Sequence, residues 1–318
     1  MTTTHTVDIA ALRTGPPPGL RTTGQYFCTA EGRPFTAADA CPLAELRDDM
    51  VGRRYALHAD GFPIFITPSQ LAASDEYLEG DPYNAADGFE QFPAFQNRRL
   101  NSTLKMLREA LRESATDRAG AAPRILDLAC GEGVITAQIH KHLPDAELYG
   151  IDYALTAIEA AARRGDPIHY AVGDAYQLPY AAGFFDVIVC NNIWEHVPDP
   201  LRLLAGVRKV LKAGGHVIIS TPSRYRFRNM VRVCLGLPVV FLSTYHVTEY
   251  SVGQVLEQLR WGGMEPRVFD DPLEGPAGGF MRFVAFKMAV PVIRALLRLA
   301  RSHHSPEETV FYLARNRG

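Results

Sequence analysis

The sequence is short of cysteine, of lysine, of long apolar runs and of net charge, and each shortage excludes a class of protein. Five cysteines occur in 318 residues, at positions 28, 41, 130, 190 and 234. They are too few and too scattered for a disulfide-stapled scaffold, so a reduced, cytoplasmic setting is expected. The 33 Lys+Arg nearly cancel the 35 Asp+Glu, leaving a formal charge of −2. No global field for gathering nucleic acid follows, and a nucleic-acid partner is not expected. Of the 33 basic residues five are lysines and 28 arginines, a skew that points to a GC-rich genome more than to a function. The most apolar late stretch, 283–300, is interrupted by Lys287, Pro291, Arg294 and Arg298, whereas a membrane span needs about 20 mostly apolar residues. Residues 1–20 are rich in Thr and Pro and lack the apolar centre of a signal peptide.

What is present is a change of pattern along the chain. A tail (1–21) precedes a Gly-, Pro- and aromatic-rich segment (22–67) and a connector with amino-terminal helices (68–123), in which Leu100, Leu104, Leu107 and Leu111 recur at helical spacing. From 124 to 318 short apolar strands alternate with helical stretches. The expected strands are 125–128, 148–151, 168–172, 187–190, 217–220, 266–269 and 309–314. The expected helices are 134–141, 154–163, 200–211 and 254–260. In the third of these, Leu201, Leu204, Val207 and Leu211 define the expected apolar face. Alternation of this kind argues for a parallel sheet covered by helices on both faces.

The strongest motif is Ile125-Leu126-Asp127-Leu128-Ala129-Cys130-Gly131-Glu132-Gly133. An apolar strand turns through small residues into a helix, which lets a ligand approach the backbone at the carboxyl edge of the sheet. The turn departs from the dinucleotide fingerprint G-x-G-x-x-G/A, since Thr136 stands at its sixth position. Asp152 ends the next strand, where a carboxylate can accept from both hydroxyls of a ribose. Asp174 ends the third, where it can accept from an adenine amino group or serve only as a turn former.

These pieces, with Gly150-Ile151-Asp152, Gly173-Asp174-Ala175, Leu178-Pro179-Tyr180, Phe184-Phe185-Asp186-Val187-Ile188, Trp194-Glu195-His196-Val197 and Leu211-Lys212-Ala213-Gly214-Gly215, resemble the core of a class I S-adenosylmethionine-dependent methyltransferase of the small-molecule type. The resemblance covers 124–222. Its one small departure is Ala129, where the family commonly has glycine. It implies a doubly wound, Rossmann-like α/β sheet of seven strands, the last antiparallel, with a small amino-terminal appendage. Helical lid insertions are expected at about 223–247 and 275–305. The implied cofactor is S-adenosyl-L-methionine, held by Asp127, Ala129, Cys130, Gly131, Gly133, Asp152, Tyr153, Asp174, Ala175 and Asn191, and the implied partner is a small-molecule acceptor. Methyltransferases of base amines or glutamine resemble one another in an Asn/Asp-Pro-Pro-aromatic motif. Here Cys190-Asn191-Asn192-Ile193-Trp194 replaces it, which disfavours such acceptors.

A fainter resemblance joins Gly52-Arg53-Arg54-Tyr55 and Gly61-Phe62-Pro63-Ile64-Phe65 to the end of a zinc-ribbon module. Tetrahedral zinc typically needs four ligands. Only Cys28 is retained, with Glu31, Asp48 and Val51 at the other positions, so a degenerate ribbon without metal is expected. His246 and, second, His196 are candidate bases for an oxygen acceptor, because a histidine near its ordinary pKa suits that task. Arg224, Arg226, Arg228 and Arg232 interleave with Tyr225 and Phe227, a pattern that can bind single-stranded nucleic acid but is expected here to be the solvated face of a cap helix. The stripe Lys287, Arg294, Arg298 and Arg301 fits a helix over the pocket or a peripheral membrane contact through 283–301. An NAD-dependent oxidoreductase and a non-catalytic cofactor-binding scaffold remain the competing readings. The oligomeric state is not written in the sequence.

Overall fold

The computed structural model describes residues 27–50, 52–71, 93–114, 120–269, 288, 290–300 and 305–318. In chain order these form β1 (Ala40–Cys41), β2 (Tyr55–Leu57), β3 (Pro63–Ile64), α1 (Pro93–Glu113), β4 (Arg124–Leu128), α2 (Val134–His142), β5 (Glu147–Asp152) and α3 (Leu155–Ala162). There follow β6 (His169–Val172), β7 (Phe185–Asn191), α4 (Pro200–Val210), β8 (Leu211–Pro222), α5 (Phe227–Cys234), α6 (Val252–Trp261), β9 (Met264–Phe269), α7 (Val290–Leu299) and β10 (Thr309–Asn316).

The strands make one sheet in the order β1-β2-β3-β6-β5-β4-β7-β8-β10-β9. From β3 to β8 neighbouring strands run parallel, while β10 pairs antiparallel with both β8 and β9. The winding runs outward from β4 through β5 and β6, then returns to β4's other side with β7 and β8. That reversal places a crevice beyond the carboxyl ends of β4 and β7, where open α/β sheets bind ligands. All seven residues of β7 are buried, as expected of a central parallel strand covered on both faces.

The seven expected strands are present, and the amino-terminal appendage adds three short strands to their sheet. β2 and β3 pair antiparallel, and Ile64 of β3 pairs with Val172 of β6, so this segment extends the sheet. Phe27 and Phe65 meet at 4.9 Å between ring centroids, Phe27 and Tyr180 at 5.1 Å, and Cys28 N donates to Pro179 O at 2.8 Å. The aromatic residues that stood out in the sequence are thus the seam between the segment and the sheet.

The helices follow from their apolar stripes and caps. α1 buries Leu100, Leu104, Met106, Leu107 and Ala110. In α4, Asp199 caps the first turn by accepting from Arg202 N at 3.0 Å, with Pro200 placed where its missing N–H costs nothing. Its buried face is Leu203, Leu204, Val207 and Val210; the expected Leu201 is exposed, and Leu211 already belongs to β8. α6 starts with a reciprocal cap, in which Gln254 N donates to Ser251 Oγ and Ser251 N to Gln254 Oε1.

Two basic stretches depart from expectation. Arg226 is no solvated residue: it is buried, and its guanidinium donates to Glu249 Oε2 and to Val240 O. In the later stripe, Arg294 donates to Glu307 Oε1 at 3.0 Å, which removes it from a free basic face. Lys287 and Arg301 lie outside the described residues. Among those described, no helix is long and apolar enough to cross a membrane.

Candidate functional site

β4 delivers the chain to the turn 129–133. There the backbone is left-handed at Ala129 (φ 59°), Gly131 (φ 54°) and Gly133 (φ 72°). Left-handed backbone costs a residue with a Cβ about 1–2 kcal/mol. Alanine for glycine at 129 is therefore strained, not the mild change that side-chain size suggests. The strain is held because Ala129 N and Cys130 N both donate to Ile151 O, at 2.8 and 3.2 Å. A Cβ on Gly131 would have no atom within 4 Å, so this backbone faces open space. A Cβ on Gly133 would lie 2.4 Å from Tyr170 Oη, so here glycine permits helix–sheet contact.

Asp152, at the end of β5, is tied to that turn. Its Oδ2 accepts from Gly131 N at 2.7 Å and its Oδ1 from Ala154 N at 3.0 Å. Burial raises its pKa, partly offset by these backbone donors. Asp174 follows β6 and accepts from Tyr176 N at 2.8 Å, an Asx turn that fixes its carboxylate beside half-buried Ala175. Gly173 N donates to Asp152 O at 2.9 Å, which links the two acidic ends. Tyr153 is half-buried, and a hydrogen bond with the Gln70 side chain partly offsets the rise in its pKa from burial.

Three of the expected cofactor contacts are otherwise occupied. Asp127 is buried and accepts from Thr136 Oγ1 at 2.6 Å, which fastens β4 to α2; burial pushes its pKa up to about 6. Asn191 gives its amide to Thr103 Oγ1 at 3.2 Å and accepts from Ser220 Oγ at 2.9 Å, joining β7 to α1 and β8. The Cys130 thiol turns back to Gly131 O at 3.6 Å, and burial holds it protonated.

The two histidines, 50 residues apart in sequence, meet beyond the ends of β7 and β8. Their rings are edge-on with centroids 4.9 Å apart. His246 Nδ1 donates to Glu249 Oε1 at 2.9 Å, and His196 Nδ1 lies 3.3 Å from Tyr245 O. Both partners are acceptors, which assigns the proton to Nδ1 and the lone pair to Nε2 in each neutral ring. Burial raises the Glu249 carboxyl, but hydrogen bonds from His246, Leu242 N–H and Arg226 outweigh that and leave it below the ordinary value.

Sequence reasoning missed the supports of this pair. Glu195 has no exposed surface; it accepts from Asn192 Nδ2 and Thr221 Oγ1, both at 2.9 Å, and burial raises its pKa. It lay unremarked inside the quoted Trp194-Glu195-His196-Val197 motif. Glu249 carries no period or motif that could have flagged it, and the basic–aromatic run placed Arg226 on a solvated face instead.

Residues 126–219 match the family model described as a methyltransferase domain. A ubiquinone biosynthesis O-methyltransferase of Coxiella burnetii is 31% identical over 121 residues, covering 37% of this chain and 50% of that protein. A ubiquinone/menaquinone biosynthesis C-methyltransferase of Desulfotalea psychrophila is 36% identical over 99 residues, covering 30% and 40%. This chain thus spans half or less of the length of these relatives. The crystal structure of a plantazolicin methyltransferase in complex with a monoazolic desmethylPZN analog and SAH is 17% identical, with a TM-score of 0.48 over 78% of this chain and 95% of that one. The segment that matches the family model, residues 126–219, holds most of β4, all of β5, β6 and β7 and most of β8, the parallel part of the Rossmann-like sheet.

Proposed function

We propose that the chain transfers a methyl group from S-adenosylmethionine to a small-molecule acceptor. The observation that carries this reading is the Asp152 carboxylate, held by Gly131 N–H and Ala154 N–H beside backbone that faces open space at Gly131. The donor set fits the cofactor. Asp152 retains lone pairs for ribose hydroxyls, Asp174 offers a carboxylate to an amino group, and a side chain at 131 would fill the cradle. When bound, S-adenosylmethionine supplies a methyl group already activated on sulfur.

The protein's share is then alignment, exclusion of water and handling of the acceptor's proton. For a hydroxyl acceptor that task falls to His246 and His196, whose rings meet edge-on with centroids 4.9 Å apart. Glu249 orients His246 as a third group orients a catalytic base, and Arg226 neutralises Glu249. The relatives named above are an O- and a C-methyltransferase, so they leave the acceptor atom open.

Calorimetric titration with S-adenosylhomocysteine tests the reading. Asp152→Ala should cost about 1.5–3 kcal/mol of affinity, the range for hydrogen bonds to a charged group. Unchanged affinity would remove Asp152 from the site and with it the main support for this function.

A further inference from the structure

Glu195, His196 and His246 each offer one ligand atom, and these atoms all lie within 4.8 Å of one another. We infer that these three side chains form a binding site for a divalent transition-metal ion, with Zn2+ or Mn2+ the ions of matching chemistry.

Two imidazoles and one carboxylate are a ligand set typical of zinc and of related first-row ions, and too nitrogen-rich for magnesium or calcium. Bonds of about 2.0–2.2 Å in a tetrahedral site put donor atoms about 3.4 Å apart, so modest side-chain rotation closes the present spacing. The surrounding hydrogen bonds already have the form such ligands require. Each histidine directs Nδ1 to an acceptor outside the cluster, Glu249 Oε1 or Tyr245 O, and so presents Nε2. The Glu249–His246 pair in particular is the carboxylate–histidine arrangement that orients metal ligands and raises their basicity. Glu195 is oriented likewise by Asn192 and Thr221, each through a different oxygen. Its carboxylate has no exposed surface and makes no ion pair among the described residues, so a bound cation would supply the charge it lacks.

The ligands come from two loops. Glu195 and His196 follow β7, and His246 lies between α5 and α6, so the ion would also fix the second loop against the sheet's carboxyl edge. Three protein ligands leave positions open for water or an acceptor hydroxyl. A hydroxyl bound there loses its proton to solvent more readily. The histidines would then act by holding the ion, and the favoured acceptor becomes one that coordinates through oxygen. This catalytic role rests on the function proposed above; the binding itself does not.

The test uses full-length protein, freed of any affinity tag and stripped with a chelator. It is titrated with Zn2+ and Mn2+ by calorimetry and with Co2+ by visible absorption, alongside S-adenosylhomocysteine. The expected result is one ion per chain, with His196→Ala and His246→Ala each weakening binding by at least about 100-fold. Thr221→Val, which removes only an outer hydrogen bond, should weaken it about 10-fold, the low end for such partners. No stoichiometric binding, or binding indifferent to both histidine variants, overturns the inference. Normal S-adenosylhomocysteine binding in the same samples then leaves the methyltransferase reading standing. Metal binding without S-adenosylhomocysteine binding would instead sink that reading and keep the site.

Discussion

Gly133→Ala should be among the most damaging single-methyl additions to this protein. Two costs add. The backbone at 133 is left-handed, at φ 72°, which costs alanine about 1–2 kcal/mol. The new methyl would also lie 2.4 Å from Tyr170 Oη, 2.9 Å from its Cζ and 3.0 Å from Ala161 Cβ. The ring is packed over Gly150, where its Cδ1 and Cε1 occupy the place that a Cβ would take. Overpacking of this kind costs about 1–3 kcal/mol. The smaller entropy of an unfolded alanine returns at most about 1 kcal/mol. The net expectation is a loss of about 1–5 kcal/mol in urea unfolding at unchanged slope. Tyr170→Phe supplies the internal control. Tyr170 Oη is buried and has no hydrogen-bond partner among the described residues, so its removal alone should be neutral or stabilising. In the Gly133→Ala background it should also recover about 1 kcal/mol more, a coupling that a double-mutant cycle isolates. A Gly133→Ala protein within about 0.5 kcal/mol of the parent, the usual range for inconsequential surface changes, would refute the argument. So would a cycle with no coupling.

Other outcomes follow from the same structure. The Asp127 carboxyl is raised from its ordinary value to about 6 by burial. The folded protein therefore binds the extra proton between about pH 4 and 6, and stability is lost as pH rises through that window. The shift of about 2 units corresponds to about 3 kcal/mol. Measured against Asp127→Asn, the parent should lose stability over those pH values and hold a constant difference above them; a pH-independent difference contradicts this. Cys28 and Cys41 are buried thiols whose pKa burial raises, unlike the thiolates that zinc requires. Replacing both with serine should leave the metal content found by elemental analysis unchanged, and a loss of one zinc per chain would restore the ribbon as a metal site.

Much of the sheet was legible because a buried parallel strand writes itself as a run of β-branched and aromatic residues between turn signals. β4 to β8 are of that kind, and the acids at 152 and 174 mark where β5 and β6 end. β1, β2 and β3 were not legible, since two or three residues cannot display a period. Their place beside β6 depends on Ile64 meeting Val172, more than a hundred residues away. The site divides in the same way. Gly131, Gly133 and Asp152 belong to local motifs, whereas the contact of His196 with His246 arises only when the loop after α5 folds back over β7. Glu195 sat inside a motif already singled out, yet its burial and its partners Asn192 and Thr221 are properties of the packed structure alone. Ala129 shows the reverse error: its small side chain concealed a left-handed backbone that sequence does not display.

In the proposed function, the carboxyl ends of β4, β5 and β6 take the adenosine of S-adenosylmethionine. Parallel calorimetric titrations of the parent protein with S-adenosylhomocysteine and with NAD test it most directly. One saturable site for S-adenosylhomocysteine, weakened in Asp152→Ala, and none for NAD are expected. Saturable NAD binding with no heat from S-adenosylhomocysteine would contradict it.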